Sequence, residues 1–521
     1  MSTGRRHFVC GLDDILDGAG VCALVDGEQV ALLRVGEEVF ALENRDPFSQ
    51  ANVMARGLTG DLGGQLVVAS PVYKQHFNLR NGRCLEDESV SLRTWPCGVL
   101  DGRVWVESQG YTASSSRGRR RLVVVGNGMA AMRTVEELLK LAGDAYQITV
   151  FGAEPRGNYN RILLSPLLAG ETGREAIMLH PLQWYRDHGI VLHAGDPVVS
   201  IDRRSKRVIS AAGVVAGYDR LLLATGSDPV RLKVAGHDLP GVFHFRSIDD
   251  VDGMLAQATT ARRAVVIGGG LLGLEAASGL AKQGLEVTVV HIRDRVMDRQ
   301  LDDEAAALLR TAMEARGIRF CLSARTAAFE GDGRVQQLRT EDGRVLAADL
   351  VVVAAGITPR TELARNCGLH CDRGILVDDT LQTFDPSIYA VGECVQHRGA
   401  TYGLVAPLWE QARVCAAHLA ERGVTRYRGS RPASQLKVSG IDVFSAGDFT
   451  QLRDAESIRY ADRGAGVYKR LWLRENRLQA AILYGDTRSA AYLAELIETQ
   501  RDVSAVRESL LLGGLETGTA A

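Results

Sequence analysis

No charge of either sign dominates this chain. Its 521 residues carry 61 Lys and Arg against 63 Asp and Glu, a formal net charge of −2. Such a balance gives no electrostatic reason to expect nucleic acid or an anionic membrane as partner. The opening stretch, MSTGRRHFVCGLDD, holds no apolar run long enough for a signal peptide or a membrane span, so a cytoplasmic location is the expectation. Cysteine is sparse and scattered. Cys10, Cys22, Cys84, Cys97, Cys321, Cys367, Cys371, Cys394 and Cys415 include no CxxC pair. An odd count without a secretion signal implies reduced thiols. Cys367 and Cys371 flank His370, but two thiols and one imidazole do not complete a structural zinc site. No metal site is expected. What remains, 46% apolar and 24% charged residues, suits three or four soluble domains.

Texture divides the chain. Residues 1–111 hold short alternating runs (QVALLRV, EVFALEN, QLVVAS, GRVWVES) separated by Asp-Gly, Gly-Gly and Asn-Gly, and read as an all-β domain of hairpins. Residues 112–121, TASSSRGRRR, read as an exposed linker. RLVVVGNGMAAMRTVEELLKLA then passes from a β-branched strand through glycines into a helical pattern, and QITVFGAE follows as a second strand. RRAVVIGGGLLGLEAASGLAKQG and QGLEVTVVHIR repeat the arrangement. This duplication indicates two α/β Rossmann-like domains. Residues 431–521 read as strands followed by a helix, a small α+β domain.

Gly126, Gly128 and Ala131 occupy the three small-residue positions of a GxGxxG/A turn. The first permits the tight turn, the second lets backbone approach a pyrophosphate, and the third lets helix and strand pack. Glu154, just past the next strand, suits the hydroxyls of an adenosine ribose. Gly268, Gly270 and Gly273 form the second turn. Its next strand ends at His291, where an NAD-preferring site places Asp or Glu, and Arg293 and Arg295 follow. Arginines there can pair with the 2′-phosphate of NADP or stand in solvent, so NADH against NADPH stays open. Two further apolar strands end in small residues, YDRLLLATGSDP and IYAVGECVQHRG.

Taken in order, these four motifs resemble the two-dinucleotide flavoprotein family of pyridine-nucleotide oxidoreductases. The stretches GNGMAAMRTVEELL, PRGNYNRILLSPLLAGE, DRQLDDEAA, VGECVQHRG and LKVSGIDVFSAGDF are similar to the flavoprotein half of assimilatory NAD(P)H nitrite reductase large subunits, and to modules that supply electrons to assimilatory nitrate reductases. The resemblance implies FAD and NADH or NADPH as cofactors, and an NAD(P)-binding domain (247–378) nested between two parts of an FAD-binding domain (122–246 and 379–430). FAD would be held by Gly126, Gly128, Met129, Ala130, Glu154, Arg161, Thr225, Gly226, Gly392 and Glu393. NAD(P) would be held by Gly268, Gly270, Leu271, Leu272, Gly273, Glu275, His291, Arg293 and Gly356. Arg161 is expected beside the flavin ring and Glu275 beside the nicotinamide. Disulfide reductases of this fold carry a thiol pair near the stretch NYNRILLS; none stands there.

The β domain has its own likeness. ENRDPFSQANVMARGLTGD and SPVYKQHFNLRNGRCLEDESVSLRTWP resemble the Rieske-like small subunit of the same nitrite reductases. Asp46 and Phe48 stand for the first Cys–His pair of a Rieske site, Ser70 and Tyr73 for the second. The nearest remaining candidates, His76 and Cys84, do not supply two thiolates and two imidazoles, so no iron–sulfur cluster is expected. A full nitrite reductase large subunit continues into a sirohaem domain with four cluster cysteines, and here no cysteine follows Cys415. The expectation is an electron supplier to a separate nitrite or nitrate reductase subunit, a sirohaem or molybdopterin protein. An NAD(P)H oxidase, a ferredoxin or rubredoxin reductase, or a docking subunit are the rivals. Homodimerisation stays open.

Overall fold

The alternating N-terminal runs become antiparallel strands. In the computed structural model, which describes residues 5–62, 64–87, 90–112, 119–422, 425–430, 433–438, 440–452 and 454–512, they form a five-stranded sheet and two three-stranded sheets. The interior strand Glu28–Val35 is buried on both faces through its middle. Ala31 and Leu33 enter one core with Phe40, Leu42 and Phe77, whereas Val30 and Leu32 enter another with Trp95, Val104 and Val106. The period-2 alternation of a strand thus fills two cores at once.

The strand Arg120–Val125 starts the first nucleotide domain, so the last two arginines of the basic run are sheet residues rather than linker. Thr112, at the linker's other end, closes a strand paired with Arg93–Trp95. Residues 113–118 lie outside the described residues. Around Arg120–Val125 a parallel sheet runs Val191–Ala194, Tyr146–Gly152, Arg120–Val125, Arg220–Leu223, Ile388–Ala390. The second domain repeats this plan around Arg263–Ile267, between Glu286–Val290 and Leu350–Val353. Parallel strands covered on both faces explain the unbroken Val, Ile and Leu runs.

Ile388, Val395 and Val414 share one core with Leu122, Val150 and Leu222, although the second domain separates them in sequence. The two passages between the domains meet as an antiparallel ribbon, Ser227–Pro229 against Ile357–Pro359. Across it, Arg360 grips Asp228 through Nε at 3.1 Å to both carboxylate oxygens.

The C-terminal five-stranded antiparallel sheet uses both faces. Phe444, Leu471 and Leu483 pack on the helix Ala490–Thr499. Val443, Trp472 and Ile482 join the core of the second nucleotide domain with Val296 and Leu301. At that seam the Tyr468 hydroxyl donates to Asp302 at 2.5 Å and Arg470 pairs with the same carboxylate at 3.0 Å. The β domain is tied to the flavin domain through Glu38, which accepts from Arg80 at 2.7 Å and from Arg426 at 2.8 Å.

Candidate functional site

Both glycine turns open into one cavity of about 2470 Å³. They reach it by the same geometry. Gly126 has φ +112° and a Cβ there would lie 2.1 Å from the Ala224 carbonyl. Gly268 has φ +120° and its Cβ would lie 2.3 Å from the Ala354 carbonyl. Neither position admits an L side chain without moving backbone. Gly128 and Gly270 meet nothing within 4 Å and stand as N-caps of the helices Met129–Ala142 and Leu271–Lys282. The open space and the free N–H groups of the first turn make two anion cradles. At the third small position, a Cβ on Gly273 would fall 1.9 Å from the Gly268 carbonyl, whereas Ala131 is accommodated fully buried. The second turn is the tighter.

Behind the first turn lies a network that the sequence pattern does not signal. Asn127 points inward: its side-chain oxygen accepts from the Tyr185 hydroxyl at 2.6 Å and its amide donates to the Arg156 carbonyl at 3.3 Å. Asn158 donates to the Asn127 carbonyl at 2.9 Å, and the Tyr185 hydroxyl accepts the Asn158 N–H at 3.2 Å. Burial pushes the Tyr185 phenol up to about 12, so it stays a donor.

Glu154, two residues past the strand Tyr146–Gly152, lines the cavity and accepts from Tyr159 at 2.9 Å and Arg161 at 2.5 Å. Arg161, expected beside the flavin ring, spans from Glu154 to the Arg246 carbonyl at 2.7 Å, and its N–H meets Met129 Sδ at 3.4 Å. Glu393 accepts from Ser227 at 2.8 Å and from Arg246, a residue that no sequence motif singled out. The neighbouring Gly392 N–H donates to buried Gln411 at 2.8 Å. Ala130, Thr225 and Gly226 complete this wall, with Leu404, Val405 and Ala406 at the start of helix Val405–Leu419.

On the other side, Leu271, Leu272, Glu275, His291, Arg293 and Gly356 all line the cavity, with Gly273 packed behind them. Glu275 accepts from Ser165, within NYNRILLS, at 2.6 Å. Burial pushes its carboxyl up, and the Ser165 hydrogen bond only partly opposes this. His291 turns to its own glycine loop and to Asp298. The C-terminal domain closes one flank with Phe444, Ala490 and Ala494. All nine cysteines are free thiols, and Cys394 and Cys415 are buried with burial raising both.

In the β domain, the two positions that stand for Rieske cysteines do meet. Ser70 Oγ donates to Asp46 at 2.6 Å, with both residues fully buried. Ser49 Oγ and the Phe48 N–H also donate to this carboxylate, at 2.8 and 2.9 Å. Burial opposes its ionisation, but these hydrogen bonds prevail and hold it below the usual carboxylate range. Phe48 packs against Phe77 and Tyr73 is exposed. His76 and Cys84 both turn to Glu86, at 2.6 and 3.5 Å. A carboxylate, a hydroxyl and two aromatic rings do not fit an iron–sulfur cluster. Among the described residues no three His, Cys, Asp or Glu side chains group as a metal site.

Three family models match the chain. Residues 120–418 match the pyridine nucleotide-disulphide oxidoreductase model, residues 7–107 the Rieske-like [2Fe-2S] domain, and residues 432–501 the rubredoxin NAD+ reductase C-terminal domain. A nitrite reductase [NAD(P)H] of Bacillus subtilis is 46% identical over 405 residues, covering 77% of this chain and 50% of that protein. The assimilatory nitrate reductase electron transfer subunit of the same organism is 44% identical over 393 residues, covering 75% and 51%. This chain therefore spans about half the length of these relatives. A crystal structure of the covalent putidaredoxin reductase–putidaredoxin complex matches with a TM-score of 0.69 and 26% identity, over 76% of this chain and 99% of that one. With two glycine turns on one cavity and no thiol pair beside it, the chain belongs to the pyridine nucleotide-disulphide oxidoreductase family, as an FAD- and NAD(P)H-binding member that carries a Rieske-like domain in front and a rubredoxin-reductase-type domain behind.

Proposed function

We propose that this protein oxidises NAD(P)H through FAD and supplies the electrons to a separate nitrite or nitrate reductase, a sirohaem or molybdopterin protein, in the cytoplasm. The observation that carries the reading is the pair of matched glycine turns lining one cavity. In it, Gly126 and Gly128 would make room for the FAD pyrophosphate at the helix Met129–Ala142, and Glu154 would accept the adenosine ribose hydroxyls. Arg161 and Tyr159 orient Glu154, which supports a role for Arg161 toward the adenosine half of FAD as well as the ring side first expected for it. Glu393 and Gly392, steadied by Ser227, Arg246 and Gln411, would hold the ribityl chain. When bound, FAD supplies the chemistry by taking hydride from NAD(P)H and yielding electrons to an acceptor. Gly268, Gly270 and Gly273 would hold the coenzyme's pyrophosphate, and half-buried Glu275 with Ser165 would stand near its nicotinamide end. The division at 122–246, 247–378 and 379–430 belongs to the same reading, supported by the core shared across the nested domain.

The β domain is then a docking or covering element that carries no cluster. Asp46 and Ser70 support this, because their hydrogen bond occupies the place where two thiolates would be needed. The test is reconstitution with FAD, followed by flavin bleaching under NAD(P)H and by turnover with a nitrite or a nitrate reductase partner. Bleaching should survive removal of residues 1–111, while delivery to the partner falls. A protein that stays colourless with FAD refutes the reading. A second reading, a reductase for a rubredoxin-like acceptor, draws on the match of residues 432–501. Faster turnover with rubredoxin than with either nitrogen-oxide reductase would favour it.

A further inference from the structure

The second nucleotide turn, taken as the NAD(P)H site proposed above, uses its strand-end residue in an unexpected way, and the role assigned to that residue rests on that reading. Strand Glu286–Val290 ends at His291. A carboxylate at this position would accept the ribose hydroxyls of NADH and repel a phosphate on the 2′ oxygen. His291 does neither. Its Nδ1 accepts the Gly269 N–H at 3.0 Å, which leaves the ring proton on Nε2, 3.2 Å from Asp298 Oδ1. A side chain on Gly269 would meet the ring at 2.8 Å, so the imidazole is packed directly against the turn. Both nitrogens are spent on the protein.

The carboxylates at this end of the cavity are spent as well. Asp298 faces the imidazole and lies 3.9 Å from Arg293 Nε. Glu341 pairs with Arg325 at 3.4 Å. Arg299 lines the same region and has no carboxylate partner among the described residues. Thr326 Oγ1, buried at the cavity wall, also lacks a hydrogen-bond partner. Arg293 and Arg325 are thus each shared with one carboxylate, Arg299 is not, and the Thr326 hydroxyl is unused, which leaves an excess of one positive charge. Guanidinium is the side chain best matched to phosphate, through paired N–H groups in a fixed plane.

We infer that this site accepts the 2′-phosphate of NADPH through Arg293, Arg299 and Arg325, and that His291 is a positioning residue that braces the glycine turn instead of gripping the ribose. NADPH is then a substrate at least as good as NADH. Specificity here comes from what is missing, since no free carboxylate repels the extra phosphate.

Calorimetry on the FAD-loaded protein tests this with 2′,5′-ADP against 5′-ADP, independently of any electron transfer. The first should bind about tenfold tighter, and Arg299→Ser should remove most of that difference while leaving 5′-ADP within about twofold. His291→Asp should lower the ratio of kcat/KM for NADPH to that for NADH by about tenfold or more. His291→Asn, whose amide oxygen can accept the same Gly269 N–H, should keep the wild-type ratio. Equal binding of the two ADPs, unchanged by Arg299→Ser, with flavin reduced by NADH and not NADPH, overturns the inference and leaves the proposed function standing. Tighter binding of 2′,5′-ADP with no flavin reduction by either coenzyme does the reverse.

Discussion

Two glycines two residues apart should respond to the same substitution in opposite ways. Gly126 has φ +112°, and its added Cβ would lie 2.1 Å from the Ala224 carbonyl. Alanine there stores backbone strain of about 1–3 kcal/mol and must also push a neighbouring strand end aside. Gly128 has φ −84° and ψ −179°, ordinary extended backbone, with nothing within 4 Å. Alanine there costs the folded chain nothing and gains about 0.4–1 kcal/mol by restricting the unfolded one. Its methyl group, however, stands where the pyrophosphate must come closest. Gly126→Ala should therefore lower the melting temperature of the FAD-free protein by several degrees, at about 2–4 °C per kcal/mol for a domain of this size. Gly128→Ala should leave that melting temperature unchanged or slightly raised, yet weaken FAD and abolish the extra stability that excess FAD confers on the wild type. Scanning calorimetry with and without FAD, and a flavin fluorescence titration, read both effects. The reasoning fails if the two variants melt alike without FAD, or if Gly128→Ala binds FAD as wild type does.

Glu275 and Asp46 carry opposite pH signatures. Burial raises Glu275, so its contribution to stability is full below the unfolded carboxylate range and is lost as pH rises through the folded value. Glu275→Gln should gain stability relative to wild type as pH climbs from acid to neutral, which paired denaturation curves would reveal; a gap independent of pH would contradict this. Asp46 is held low, so its contribution is present above the unfolded range and lost as pH falls through the folded value. Asp46→Ala strands the buried Ser70 hydroxyl and should cost the β domain about 1–3 kcal/mol near neutrality, shrinking in strong acid. A loss that persists unchanged in acid would show that the carboxylate's charge is not what holds the loop.

What is legible in the sequence is local. A strand, a glycine turn and a helix lie within about two dozen residues, and each constrains its own backbone, so the two turns and Glu154 can be placed from pattern alone. The Rieske-like substitutions are legible too, but not that Asp46 and Ser70 hydrogen-bond to each other across 24 residues. Arg161 reads in sequence as a flavin-ring residue, yet its partners are Glu154 and the remote Arg246 carbonyl, and only the fold brings that carbonyl within reach. Tyr185 lies 58 residues from Asn127, in a short helix with no motif. The C-terminal stretch reads as a small α+β domain, yet adjacent residues of one strand, Ile482 and Leu483, belong to different cores, one of them shared with the second nucleotide domain. Such two-sided burial depends on what the sheet meets, and that is not encoded in the strand's own period.

The ribbon between the nucleotide domains has a mechanical consequence. Two separate tethers would let the inserted domain twist and shear against its host. Here Ser227–Pro229 and Ile357–Pro359 are zipped edge to edge and clamped by Arg360 and Asp228. A hydrogen-bonded pair of strands resists stretching and shear but bends about its own plane, so it behaves as a leaf spring with one compliant direction. The chain thus enters and leaves the inserted domain through one hydrogen-bonded unit, so a displacement of either strand along the ribbon carries its partner with it.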